Sequence, residues 1–92
     1  MSDAITRELQ ILNEKGLHAR ASAKFVETVE RFDASAVVAR DGERVGGDSI
    51  MGLLMLVAPR GSTITVTTSG PEAGPLMDAL VALVGDYFGE GM

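Results

Sequence analysis

A single histidine followed two residues later by an arginine, in Gly16-Leu17-His18-Ala19-Arg20, supplies the one obvious nucleophile of this 92-residue chain. An uncharged imidazole attacks electrophiles near pH 7, because the free side chain titrates close to physiological pH. The apolar spacing downstream predicts a helix that His18 opens and that runs to Phe32. The first backbone N–H groups of such a helix have no internal partners, and together with the macrodipole they attract anions and favour a neutral ring. Arg20 adds a planar fork of donors that stays charged at any relevant pH. Phosphoryl transfer asks mainly for positioning and charge stabilisation. His18 is therefore the candidate nucleophile, Arg20 its electrostatic partner, and His18, Ala19 and Arg20 the candidate phosphate-binding residues. On these residues alone, a helix-opening histidine beside a solvated arginine fits as well.

The elements that must position this segment alternate between strand and helix. Ile5, Arg7, Leu9 and Ile11 alternate with Thr6, Glu8 and Gln10, which predicts a half-buried strand ending at the turn residues Asn13 to Gly16. Ser22, Phe25, Val26, Val29 and Phe32 recur at helical spacing. Strands over 35–40 and 43–46 flank Asp41-Gly42, a strong hairpin signal. Ser49 is a natural N-cap for a short helix over 50–56. After the breaker Pro59-Arg60-Gly61, the β-branched run 62–68 predicts a further strand, which Gly70-Pro71 ends. Leu76, Leu80, Leu83, Val84 and Tyr87 predict a last amphipathic helix. This order points to an α+β fold with helices on one face of an antiparallel sheet.

The second segment, Ile50 to Val57, is apolar nearly all round, whereas a short surface helix needs only one buried stripe. If Leu53 and Leu56 face the core, Ile50, Met51 and Leu54 or Met55 are left partly exposed. Such a patch marks either a docking site or a helix covered by neighbours, and methionine suits a surface that repacks against several partners.

Composition narrows the classes. Ninety-two residues fit one core, and the chain is expected to be a single domain over 1–92. With no cysteine and one histidine, neither a disulfide framework nor a usual zinc cluster is available, and no metal or cofactor is expected. A net charge of −5 argues against nucleic acid and anionic membrane as partners. Met1-Ser2-Asp3-Ala4 is polar and reads as no signal peptide, and the run Ile50 to Ala58 is too short to span a bilayer. A cytoplasmic monomer without membrane insertion is the expectation.

Asn13-Glu14-Lys15-Gly16-Leu17-His18-Ala19-Arg20 resembles the active-site segment of the HPr family, the histidine-containing phosphocarriers of the bacterial phosphoenolpyruvate-dependent sugar phosphotransferase system. Gly46-Gly47-Asp48-Ser49-Ile50-Met51-Gly52-Leu53-Leu54-Met55-Leu56 resembles the family's other signature, centred on a regulatory serine. The resemblance runs from about Ile5 to Phe88. It implies an open-faced β-sandwich, a four-stranded antiparallel sheet covered on one face by three helices. It implies a phosphocarrier rather than an enzyme, taking a phosphoryl group on Nδ1 of His18 from phosphorylated enzyme I and passing it to enzyme IIA components. It also implies that Ser49 is a target for an HPr kinase/phosphorylase, and that partners dock on Ile50 and Met51, with Ala23 and Lys24 as further docking candidates. The alternative is a regulatory module of the nitrogen-related branch, acting through its phosphorylation state without sugar transport. Two departures stand out. Ala21 stands where the family usually has proline, and Glu27 and Glu30 follow Lys24 on a helix face that often carries lysines.

Overall fold

The computed structural model of the chain describes residues 4–92, so Met1 to Asp3 of the polar lead lie outside the described residues. Its elements follow the expected order: β1 (Ile5–Gln10), α1 (Ala19–Glu30), β2 (Ser35–Arg40), β3 (Glu43–Gly46), α2 (Ile50–Met55), β4 (Thr63–Ser69) and α3 (Ala73–Gly85), then a 3-10 turn over Tyr87–Gly89. The sheet is antiparallel throughout, in the order β1-β4-β2-β3.

Alternation decides which face the helices cover. Ile64, Val66 and Thr68 of β4 are buried, as are Leu9 of β1 and Ala36 and Val38 of β2. The other face stays open, and hydroxyl pairs tie it, Thr6 to Thr67 and Ser35 to Ser69, each at 3.0 Å. Phe25, Leu53, Leu76, Met77 and Leu80 close the core from the helical side. The result is the open-faced sandwich, with three α-helices over four strands.

Several boundaries differ from the expectation, each for a local reason. α1 ends at Glu30 rather than Phe32, because Arg31 and Phe32 close the last turn with i→i−3 bonds to Thr28 and Val29. α2 stops at Met55, where the amides of Leu56 and Val57 bond back to Leu53 and Leu54 and Val57 takes a φ of +49°. α3 begins at Ala73, with Pro75 inside the first turn where no amide is needed. It ends at Gly85, so Tyr87 leaves the helical repeat. Tyr87 and Phe88 both adopt left-handed backbone, φ +57° and +53°. That conformation costs about 1–2 kcal/mol for each non-glycine residue. Full burial of Phe88 returns about 1.5–3 kcal/mol.

Gly16 fixes the approach of the loop to α1. Its φ is +68°, and a Cβ there would stand 2.5 Å from the Ala58 carbonyl oxygen, the acceptor that holds the Leu17 amide at 2.9 Å. Gly16→Ala is expected to lower the thermal midpoint by roughly 5–15 °C, a loss of about 1–3 kcal/mol. Gly42, φ +85° with open space around it, is the control: Gly42→Ala should cost only about 1 kcal/mol. Equal midpoints for the two variants in a circular-dichroism melt would show that the contact with Ala58 carries no weight.

Candidate functional site

His18 is the N-cap of α1, with extended backbone (φ −82°, ψ −174°), and its carbonyl accepts the first helical bond, from Ser22, at 2.8 Å. Its own amide is tied to the Gly16 carbonyl at 2.9 Å. The ring folds back over the helix end, so that the Arg20 amide donates to Nδ1 at 3.3 Å. A histidine thus takes the place that serine or aspartate usually fills, and its ring nitrogen points at the unpaired donors of the first turn. Ala21 is fully buried, and Ser22 beside it sends its hydroxyl to the Leu17 carbonyl at 3.3 Å. Alanine there packs inward while leaving the turn intact.

The other ring nitrogen meets a residue that the sequence reading did not single out. Nε2 shares a hydrogen bond with Oε2 of Glu90 at 2.5 Å, across a separation of 72 positions. The second oxygen of Glu90 accepts from Nδ2 of Asn13 at 2.9 Å, and the same Nδ2 donates to the Gly16 carbonyl at 2.8 Å. Asn13 is completely buried. The C-terminal segment is carried here by Phe88, whose side chain sits in the core and whose carbonyl accepts from Lys24 Nζ at 2.6 Å. Gly89 follows with φ +75° and lies so close to Lys24 that a Cβ would come within 3.2 Å of its ammonium nitrogen. Burial pushes the Glu90 carboxyl up, but hydrogen bonds from Asn13 and His18 and electrostatic attraction to the neighbouring ring and to Lys15 outweigh it, leaving the group below its ordinary value of 4.5.

Two clefts flank the ring. One, of about 420 Å³, is lined by Glu14, Lys15, Arg20, Lys24, Gly89 and Glu90, with Met92 at its edge. Arg20 is exposed and forms no ion pair among the described residues, so its guanidinium is available to an incoming anion. The other, of about 290 Å³, joins Lys15, Leu17 and His18 to Leu54, Val57, Ala58 and Pro59. It links the histidine to the end of α2. There Ile50, Met51, Met55 and Val57 are exposed while Leu53 and Leu56 are buried, the division expected from the sequence. Ser49 caps α2, its Oγ accepting from the Gly52 amide at 2.9 Å. Ala23 and Lys24 are half-buried on α1, and Glu27 and Glu30 are exposed. No group of three or more metal-ligating side chains occurs among the described residues, and no helix of theirs is long and apolar enough to cross a membrane.

Residues 5–86 match the family model described as "PTS HPr component phosphorylation site". This chain belongs to the HPr family. It is 46% identical to the phosphocarrier protein HPr of Cupriavidus necator over 87 residues, covering 95% of this chain and 98% of that one. The crystal structure of an HPr from Bacillus anthracis superposes with a TM-score of 0.85 at 38% identity, covering 89% of this chain and 98% of the other. An HPr structure from Thermoanaerobacter tengcongensis gives a TM-score of 0.91 at 33% identity, covering 96% and 99%. The HPr fold expected from the two motifs is therefore the fold observed, and the family is one of phosphocarriers rather than enzymes.

The depressed Glu90 group makes stability depend on pH in a definite direction. A carboxyl whose folded value lies below its unfolded one contributes stability that is present above the unfolded value and lost as pH falls through the folded value. The gap in thermal midpoint between wild type and Glu90→Ala should therefore hold from neutral pH down to about 5 and close below the ordinary value of 4.5. A gap that stays constant to pH 2 would show that Glu90 is not ionised in this contact.

Proposed function

We propose that His18 accepts a phosphoryl group from phosphorylated enzyme I, itself charged by phosphoenolpyruvate, and passes it to enzyme IIA components. The observation that carries this reading is the ring at the mouth of α1, with Nδ1 turned toward the Arg20 amide at 3.3 Å. That bond is long and easily exchanged for one from the same amide to a phosphoryl oxygen. Arg20 closes on the equatorial oxygens from the neighbouring cleft, adding charge where the loose transition state spreads it. The apolar surface of Ile50, Met51, Met55 and Val57, continuous with the ring through the cleft at Leu54, is where partners dock. Ile50 and Met51 are its principal docking residues, with Ala23 and Lys24 on α1 as further docking candidates.

Ser49 serves as a regulatory phosphorylation site for an HPr kinase/phosphorylase within this reading. A phosphate there adds about −1.5 to −2 charges beside Ile50 and Met51, next to the exposed Asp48. An apolar docking surface tolerates that poorly.

Incubation with phosphoenolpyruvate, magnesium and cognate enzyme I should add one phosphate, stable in base and labile in acid, and His18→Ala should abolish it. Arg20→Ala should leave the thermal midpoint nearly unchanged but slow transfer on the order of 100–1,000-fold. Arg20→Lys should recover only part of that, since lysine lacks the planar fork. Active enzyme I that leaves the wild type unmodified would overturn the reading, and equal rates in all three Arg20 forms would remove Arg20 from it.

Ser49→Asp and Met51→Glu should both fold yet accept phosphate much more slowly, with Ser49→Ala close to wild type. Because loss of the cap costs about 1 kcal/mol, midpoints and transfer rates are to be measured on the same samples. Wild-type rates for both acidic variants would show that enzyme I docks elsewhere.

A further inference from the structure

We propose that Glu90 is the positioning residue that selects the tautomer of the reactive ring: its carboxylate holds the proton on Nε2 of His18 and so keeps the Nδ1 lone pair directed at the N-terminus of α1. This deepens the phosphocarrier reading and rests on it for its catalytic consequence.

Each hydrogen-bond role in the chain from Arg20 to Gly16 is forced by its neighbour. A backbone N–H only donates, so the Arg20 amide at 3.3 Å requires a lone pair on Nδ1. A neutral ring with a bare Nδ1 carries its proton on Nε2, which faces Glu90 Oε2 at 2.5 Å. The Asn13 amide is equally constrained. Its Nδ2 lies against two oxygens, the Gly16 carbonyl at 2.8 Å and Glu90 Oε1 at 2.9 Å, and a flipped amide would set oxygen against both. Both Glu90 oxygens therefore accept, as an ionised carboxylate requires. Lys15 from the loop and Arg20 and Lys24 from α1 line the same cleft as the group, together with the side-chain carboxylate of Glu14 and with Met92. Lys24 is already committed to the Phe88 carbonyl. Asn13 thus orients Glu90, Glu90 orients the ring, and the buried Phe88 delivers Glu90 to its place.

The consequence for transfer is that no proton has to move. The Nδ1 lone pair attacks the phosphorus of the phosphorylated donor. The P–Nδ1 bond forms while the bond from phosphorus to the donor's carrier atom breaks, and its electron pair stays on that atom. Positive charge develops in the ring, and the Nε2–H facing a carboxylate stabilises it. In onward transfer the P–Nδ1 bond breaks, the pair returns to Nδ1, and the ring leaves as neutral imidazole because Nε2 has kept its proton. A ring without that proton would have to leave as imidazolate, a far poorer leaving group.

Glu90→Gln tests this with almost no change of shape. The glutamine oxygen still accepts from Asn13, but its amide nitrogen then presents hydrogens to Nε2, donor against donor, unless the ring proton moves to Nδ1 and meets the Arg20 amide. Ring nitrogen chemical shifts of 15N-labelled free protein at neutral pH should show a protonated Nε2 and a bare Nδ1 in wild type. In Glu90→Gln the two shifts should converge, the mark of mixed tautomers. Phosphoryl acceptance from cognate enzyme I should slow by roughly 10–100-fold with the circular-dichroism spectrum unchanged, and Glu90→Ala should slow it similarly. A wild-type ring protonated on Nδ1, or identical ring shifts in all three proteins, would overturn the proposal. So would altered shifts with unaltered rates, since Glu90 would then have no weight in transfer. A wild type that takes no phosphate from active enzyme I would instead overturn the phosphocarrier reading, while the ring shifts, recorded without any partner, still decide which nitrogen holds the proton.

Discussion

The N-terminus of α1 is the constraint on which the site depends. A helix that begins beside a reactive group must leave its first amides unpaired, and here the residue that caps them is the histidine itself, with Nδ1 on the Arg20 amide at 3.3 Å. The ring therefore stands in the position where an anion would be held, and under the proposed function a phosphoryl group joined to it would enter a field already arranged for negative charge. The features that fix this geometry are all structural. Gly16 turns the loop with a left-handed backbone that no side chain fits, the Ala58 carbonyl holds Leu17, and buried Ala21, Ser22 and Phe25 seat the helix on the sheet.

The C-terminal segment supplies the complementary half. Two consecutive aromatic residues in left-handed conformation follow α3, a strained arrangement that the burial of Phe88 in the core holds in place. The turn they create reverses the chain after α3 and lays Glu90 across the far side of the ring. The imidazole is gripped at both nitrogens, on one side by a helix end and on the other by a carboxylate anchored through buried Asn13. Preorganisation of this kind suits phosphoryl transfer, which needs groups already in place more than it needs new chemistry from the protein.

The sequence announced what is local and concealed what is distant. His18, Arg20 and Gly16 lie within five positions, and their types alone indicate a turn leading into an anion-holding helix. Ser49 followed by an apolar run likewise indicates a cap and a half-exposed helix, and the split between Leu53 and Met51 bears it out. The hairpin at Asp41-Gly42 was legible because its two residues take φ +50° and +85°, as the tight turn between β2 and β3 demands. Glu90 was not legible. A glutamate between glycines near the end of an acidic chain has the pattern of a solvated tail, and only folding brings it 72 positions back to His18. Tyr87 departs from the last helix for a related reason: helical periodicity continues through it, but tertiary packing of Phe88 overrides that periodicity. The one available signal was the run Tyr87-Phe88-Gly89, an aromatic pair and a glycine just past a helix, where a chain reversal is to be expected.

The most direct test of the account is to find which nitrogen carries the phosphorus. Protein labelled with 15N in its histidine, phosphorylated with phosphoenolpyruvate and cognate enzyme I, would be read by nitrogen and phosphorus resonance spectroscopy. If the helix end and Glu90 hold the ring as described, the phosphorus couples to Nδ1 of His18 and Nε2 retains its proton toward Glu90. Attachment at Nε2, the nitrogen that the structure gives to Glu90, would contradict it.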